Sequence, residues 1–223
     1  MVATTRLYTD KLPDYYTGAR ADMVAALPLN AQAAILELGC GDGTTGALAI
    51  AAGKASTYVG IELDPNAATL AHTRITDVLC GDVDALDLSG HIARYDALIA
   101  SEVLEHLIDP RATLARLVDC LKPGALVLAS SPNISHWRVV LALIKGEFEL
   151  TETGVMDRSH LRWFTPESYS ALLRSAGLEI VSVTPITPPS ARTRWINRLT
   201  SNRFEHLFMT QIYVTARKPA LPS

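Results

Sequence analysis

A dominant charge sign, close cysteine pairs and long apolar runs are all missing from this 223-residue sequence. Twenty basic residues against twenty-three acidic ones leave a formal charge of −3. A broad positive field of the kind nucleic acid requires is therefore not expected. The cysteines are three, Cys40, Cys80 and Cys120. An odd, widely spaced set suggests no disulfide framework or thiolate metal site, and a reducing cytoplasm is the simplest compartment for it. The opening "MVATTRLYTD" lacks a basic segment followed by an apolar core, so it does not read as a secretory signal. No run approaches the roughly 18 apolar residues that span a bilayer. "VVLALI" (139–144) is one short greasy stretch, read first as a buried helix and otherwise as a lid or a membrane-surface patch. What is present is 48% apolar and 19% charged residues, the balance of one globular domain spanning 1–223.

Within that domain, short apolar runs alternate with helix-like segments. Strands are expected at 33–39, 56–63, 77–82, 95–101 and 125–132. Helices are expected at 46–53, 65–74, 110–124 and 165–178. Pro65 suits a first helical turn, Pro123 and Gly124 a stop, and Thr165 a cap. Alternating residues at 179–186 and 209–218 suggest a final strand pair. This order predicts an α/β fold, a mostly parallel sheet with helices on both faces. Ligands in such sheets bind at the carboxyl ends of the strands. Three segments decorate the frame: a helical cap at 1–32, an insertion at 133–164 and another at 187–208.

Residues 37–43 read "ELGCGDG". A strand turning sharply into a helix needs glycine where φ is positive or where backbone presses on a ligand. Gly41-x-Gly43-x-x-Gly46 also satisfies the dinucleotide pattern, so glycine spacing by itself leaves a nicotinamide cofactor open. The wider register Glu37-x-Gly39-x-Gly41-x-Gly43 resembles motif I of the class I S-adenosylmethionine-dependent methyltransferases. "YVGIELD", "CGDVDAL" and "YDALIASEVLEHLIDP" follow in the order of that family's next motifs. The resemblance covers about residues 14–218. It implies a Rossmann-like, doubly wound, seven-stranded and mostly parallel sheet with an antiparallel last strand. It also implies S-adenosylmethionine as cofactor and S-adenosylhomocysteine as product. Its cofactor residues would be Glu37, Gly39, Gly41, Gly43, Glu62, Leu63, Asp82, Val83 and Ser101, with Glu62 accepting the ribose hydroxyls and Asp82 near the adenine amino group. Tyr15, Tyr16 and Arg20 would belong to a segment closing over the cofactor, Arg20 facing its carboxylate.

A sulfonium methyl is already electrophilic, so an acceptor needs in-line positioning and somewhere to lose its proton. His106 and His160 are the candidate bases, and transfer to oxygen of a small molecule is the expected reaction. In "SEVLEH", a helical spacing would put Glu102, Glu105 and His106 on one face. That set resembles the metal-binding Glu-x-x-Glu-His of small-RNA 3′-end ribose methyltransferases. It is also similar to the ubiquinone-pathway O-methyltransferases, whose later loop aligns with "DRSHLRWFTPESY" (157–169). The residues are read first as binding no metal, the glutamates being structural acceptors; Glu102, Glu105, His106 and His160 are the alternative ligand set. Asn133, His136 and Trp137 after the fifth strand, with Arg162, are placed around the acceptor.

"SPNISHWR" carries a second resemblance, to the methionine-biosynthesis accessory proteins that share the methyltransferase fold. It implies a non-catalytic partner of a biosynthetic acyltransferase as the alternative function. Arg192, Arg194, Arg198 and Arg203 with Trp195 form a basic insert. It could clamp an acidic acceptor, cover the pocket or make a homodimer contact.

Overall fold

The computed structural model describes residues 18–220. Seven strands form one sheet in the order β3-β2-β1-β4-β5-β7-β6. These are β1 (Ala34–Leu38), β2 (Thr57–Glu62), β3 (Asp77–Cys80), β4 (Tyr95–Ser101), β5 (Leu121–Pro132), β6 (Glu179–Pro185) and β7 (Gln211–Arg217). The first five run parallel, and β7 pairs antiparallel with both β5 and β6. The expected doubly wound sheet with a reversed last strand is therefore present.

Helices α1 (Ala21–Ala26), α2 (Thr44–Ala51) and α3 (Pro65–Ala71) cover one face. There Met23, Val24 and Leu27 pack with Ile35, Tyr58, Ile99 and Leu128. Helices α4 (Pro110–Asp119) and α6 (Pro166–Ser175) cover the other, where Leu114, Leu117, Tyr169 and Leu173 meet Leu36, Leu98 and Val127. Alternate residues of one strand thus enter opposite cores, which is why the strands read as continuous apolar runs. Two insertions carry α5 (Trp137–Ile144) and α7 (Ala191–Leu199).

Helix starts follow local chemistry. Asp64 accepts from the N–H groups of Asn66 and Ala67, and Asp109 from those of Arg111 and Ala112, each ahead of a proline at the first helical position. Thr165 and Ser168 form a reciprocal capping box.

Two expectations need correcting. The helix assigned to 110–124 ends at Asp119, because Leu121 already pairs with Tyr95. Pro123 and Gly124, the latter at φ +80°, sit inside the β5 limb where the register shifts. The segment 102–106 is not an α-helix: only Leu104–His106 form a 3₁₀ turn, and Glu102 adopts φ +53°.

Candidate functional site

The strand order reverses between β1 and β4, where neighbouring crossovers leave in opposite directions and open a crevice at the carboxyl ends. A cavity of about 940 Å³ lies there. Its volume is at the upper end of the range for small-molecule sites. Gly39, Gly41, Glu62, Leu63, Asp82, Val83, Ser101, His106 and His160 contribute to its wall, so most of the sequence-derived site residues converge.

The glycine turn is shaped by contact as well as by φ. Gly43 sits at φ +80°, and a Cβ there would come within 2.9 Å of the Ala71 Cα. The turn therefore brings the amino end of α2 close against α3. Gly41, at φ +54°, donates its N–H to Glu62 Oε2 at 2.8 Å. The other oxygen of Glu62 accepts from the Asp64 N–H at 2.9 Å. Burial raises the Glu62 pKa, opposed by those backbone donors. Each carboxylate oxygen keeps acceptor capacity after one backbone bond, so the residue can take a ribose diol from the cavity side. Asp82 is exposed, and its side chain holds the Asp84 N–H at 3.0 Å, keeping Val83 buried beside the cavity.

Glu37 lies at the bottom of the cavity, 3% exposed, and accepts from the Tyr58 hydroxyl at 2.9 Å. Burial pushes its pKa up to about 8, against the Tyr58 bond. Arg20 joins three elements. Its N–H reaches Thr45 Oγ1 at 3.2 Å, its Nη1 donates to Ser130 Oγ at 2.9 Å and to Ser101 Oγ, and its fork grips Asp22. The bidentate capacity expected for the cofactor carboxylate is thus engaged by Asp22, which sits two residues away. Tyr16 lies outside the described residues.

Beside the cavity, Glu105, His106 and His160 offer ligand atoms that all lie within 4.8 Å of one another. All three are buried. His106 Nδ1 lies 3.1 Å from the Ser159 carbonyl and His160 Nδ1 3.2 Å from the Val155 carbonyl. Backbone carbonyls can only accept, so each ring donates through its Nδ1–H. Among the described residues no well-formed hydrogen bond reaches either carboxylate oxygen of Glu105. Burial, and then the neighbouring Glu102, drive its pKa well above the usual carboxylate range, although the Ser131 side chain lowers it. Glu102 is not part of this cluster: its left-handed φ turns it towards Gln211, whose amide donates to it at 3.3 Å.

Four residues placed around the acceptor by sequence are not in the cavity wall. Asn133 is fully buried and saturated, donating to the carbonyls of His206 and Met209 and accepting from Ser135. It fastens one insertion to the other. His136 starts α5 with its pKa lowered by burial, Trp137 is half-exposed beside it, and Arg162 donates outward to the Ile108 carbonyl. The wall is instead completed by Leu107, Ile108, Gly154, Val155, Thr210 and Gln211. The sequence carried a weak signal for the 153–157 stretch: Thr153-Gly154 and Asp157 mark a turn directly ahead of His160.

The family model of the methyltransferase domain matches residues 11–183, and the chain belongs to that family. It is an S-adenosylmethionine-dependent methyltransferase. A ubiquinone biosynthesis O-methyltransferase from Thiobacillus denitrificans is 30% identical over 159 residues, 69% of this chain and 67% of that one. Another, from Dinoroseobacter shibae, is 29% identical over 153 residues, 66% of this chain and 60% of the relative. The chain thus spans roughly 60–67% of the length of these curated relatives. Among solved structures, a SAM-dependent methyltransferase from Archaeoglobus fulgidus superposes with a TM-score of 0.65 at 17% identity, covering 95% of this chain and 100% of that one. The [4+2]-cyclase SpnF superposes at 0.61 with 22% identity, covering 90% and 80%. At such identities the likeness concerns fold alone, and a cyclase among the neighbours illustrates that the fold does not dictate the reaction. Among the described residues no helix is long and apolar enough to cross a membrane.

Proposed function

We propose that this chain methylates a hydroxyl oxygen of a small-molecule acceptor seated between the glycine turn and the two histidines. The observation that carries the reading is the buried meeting of His106 and His160, ring centroids 4.7 Å apart, in the wall of the cavity that Glu62 also lines. Gly39, Gly41, Glu62, Val83 and Ser101 would hold S-adenosylmethionine, with Asp82 near the adenine edge. The bound cofactor supplies a methyl group already activated on a sulfonium. The protein's work is then to align the acceptor, exclude water and take one proton. With Nδ1–H donated to a carbonyl, Nε2 of a neutral His106 or His160 ring is the atom that would take it. Leu107, Ile108 and Val155 give the cavity an apolar lining suited to an uncharged, ring-like acceptor. The names of the relatives support oxygen as the acceptor atom.

The Glu105 carboxylate favours a second reading of the same cluster. A buried carboxylate with no well-formed hydrogen bond, beside two imidazoles whose Nδ1 atoms face carbonyls, fits a divalent cation, which Glu105, His106 and His160 would hold. Such a cation supplies a Lewis acid for the acceptor hydroxyl. Methyl transfer from labelled S-adenosylmethionine to a panel of phenols, catechols and sugars tests both readings. Loss of transfer in EDTA, restored by Mg²⁺, Mn²⁺ or Zn²⁺, assigns the cluster to a metal. Transfer indifferent to EDTA but lost in His160→Ala assigns it to a base. No transfer to any hydroxyl acceptor, with cofactor binding intact, would overturn oxygen methylation.

A further inference from the structure

Helix α7 is built inside out. Thr193, Ile196, Asn197 and Thr200 turn towards the protein, and Asn197 is only 5% exposed. Ala191, Trp195 and Leu199, recurring every four residues, form a stripe facing solvent, with Trp195 64% and Leu199 65% exposed. Phe204 continues that exposed apolar set just beyond the helix. Surface helices ordinarily do the reverse, so this face is made for something other than water.

The charges around the stripe say what that is. Residues 190–204 contain Arg192, Arg194, Arg198 and Arg203 and no acid, within a chain of net charge −3. On the helical wheel Arg192 and Arg198 lie on opposite margins of the stripe. Ser190 accepts the Thr193 N–H at 3.1 Å and caps the helix, and Arg194 donates to the Pro189 carbonyl, so the arrangement is locally fixed. The other exposed apolar helix, α5, differs: it carries Arg138, with Lys145 at its end, but its exposed Leu143 and Ile144 lead into a stretch holding Glu147, Glu149 and Glu152.

We propose that the outer face of α7 docks on an anionic lipid surface. An apolar stripe between arginine margins is the pattern of a helix lying in the interfacial plane. Trp195, Leu199 and Phe204 would enter the headgroup–acyl boundary, while the guanidinium groups reach lipid phosphates. A second copy of the chain would oppose arginine with arginine. A nucleic acid would satisfy the charges and leave Ala191 and Leu199 with no apolar partner. The insert returns through Thr210 and Gln211, both in the cavity wall, so the docking face is joined to the cavity by a short stretch of chain. The inference is independent of which acceptor atom is methylated.

Vesicle flotation of the full chain tests it. Association with phosphatidylglycerol-containing vesicles, and not with phosphatidylcholine alone, is expected. Arg192→Glu with Arg198→Glu should weaken it by at least about tenfold, with S-adenosylhomocysteine binding unchanged as the check on folding. In a Trp137→Phe, Trp163→Phe chain, Trp195 fluorescence should be quenched by lipids brominated in the acyl chain, a readout that leaves α7 untouched. Absence of association with anionic vesicles would overturn the proposal. So would association that survives the charge reversal, unquenched Trp195, or arginine-dependent binding to single-stranded nucleic acid or to a second copy in its place.

Discussion

The Glu62 carboxylate holds the Gly41 N–H at 2.8 Å, a bond spanning 21 residues that ties the end of β2 to the glycine turn beside β1. One side chain therefore shapes the turn and faces the cavity. Glu62→Ala should weaken S-adenosylhomocysteine binding by about 1–3 kcal/mol through lost charge-assisted bonds. Glu62→Gln, which keeps one acceptor oxygen, should lose less. Isothermal titration reads both, and unchanged affinity in the alanine variant would remove Glu62 from the site.

Close approach at Gly43 gives a second test. A Cβ there meets the Ala71 backbone at 2.9 Å and must also adopt φ +80°, whereas Gly53, at φ +66°, has open space around its would-be Cβ. Gly53→Ala should cost only the left-handed strain, about 1 kcal/mol. Gly43→Ala should cost visibly more, read as a larger fall in denaturation midpoint. Equal effects would mean that the α2–α3 contact yields freely.

Glu37 makes a pH prediction. Burial keeps its carboxyl protonated up to about 8 in the folded protein, whereas in the unfolded chain it ionises near 4.3, the ordinary value for about any exposed glutamate. Between those values the folded state binds the extra proton, so stability falls as pH rises and levels off above the folded pKa. Glu102, Glu105 and Glu62 are displaced in the same direction and add to the slope. Melting temperature should therefore drop from about pH 6 to about pH 9. Glu37→Gln, still able to accept from Tyr58, should flatten part of that drop. An identical slope would show that Glu37 is not the titrating group.

His160→Ala separates methyl transfer from cofactor binding. Transfer should fall by about 10²–10⁴-fold, the usual worth of a positioned proton acceptor. S-adenosylhomocysteine affinity should hold, because the cofactor is assigned to Glu62 and the glycine turn and not to His160. Parallel loss of both would make His160 a structural support.

The frame was legible in the sequence because both faces of the sheet are buried. Each strand then shows as an apolar run, and Asp64, Asp109 and Thr165 announce the helices that follow. Glu62 and the glycine turn were legible because their spacing is local. Glu102 was misplaced because helical spacing was assumed where its backbone turns left-handed, at φ +53°. Asn133, His136, Trp137 and Arg162 were placed by nearness in sequence to the fifth strand and to His160. Tertiary packing decides otherwise: the Asn133 amide is consumed by carbonyls 73 and 76 residues away. The cluster of Glu105 and His106 with His160 was legible only through resemblance, because it depends on a loop folding back across the sheet edge, a relation no local pattern encodes.

The most direct test of the central claim is calorimetric titration of the full chain with S-adenosylhomocysteine, alongside reduced nicotinamide dinucleotide as the control. Micromolar binding of the adenosyl ligand alone, weakened in Glu62→Ala, is the expected result. Binding of the dinucleotide alone, or of neither ligand by a folded protein, would contradict the assignment of this cavity to a methyl donor.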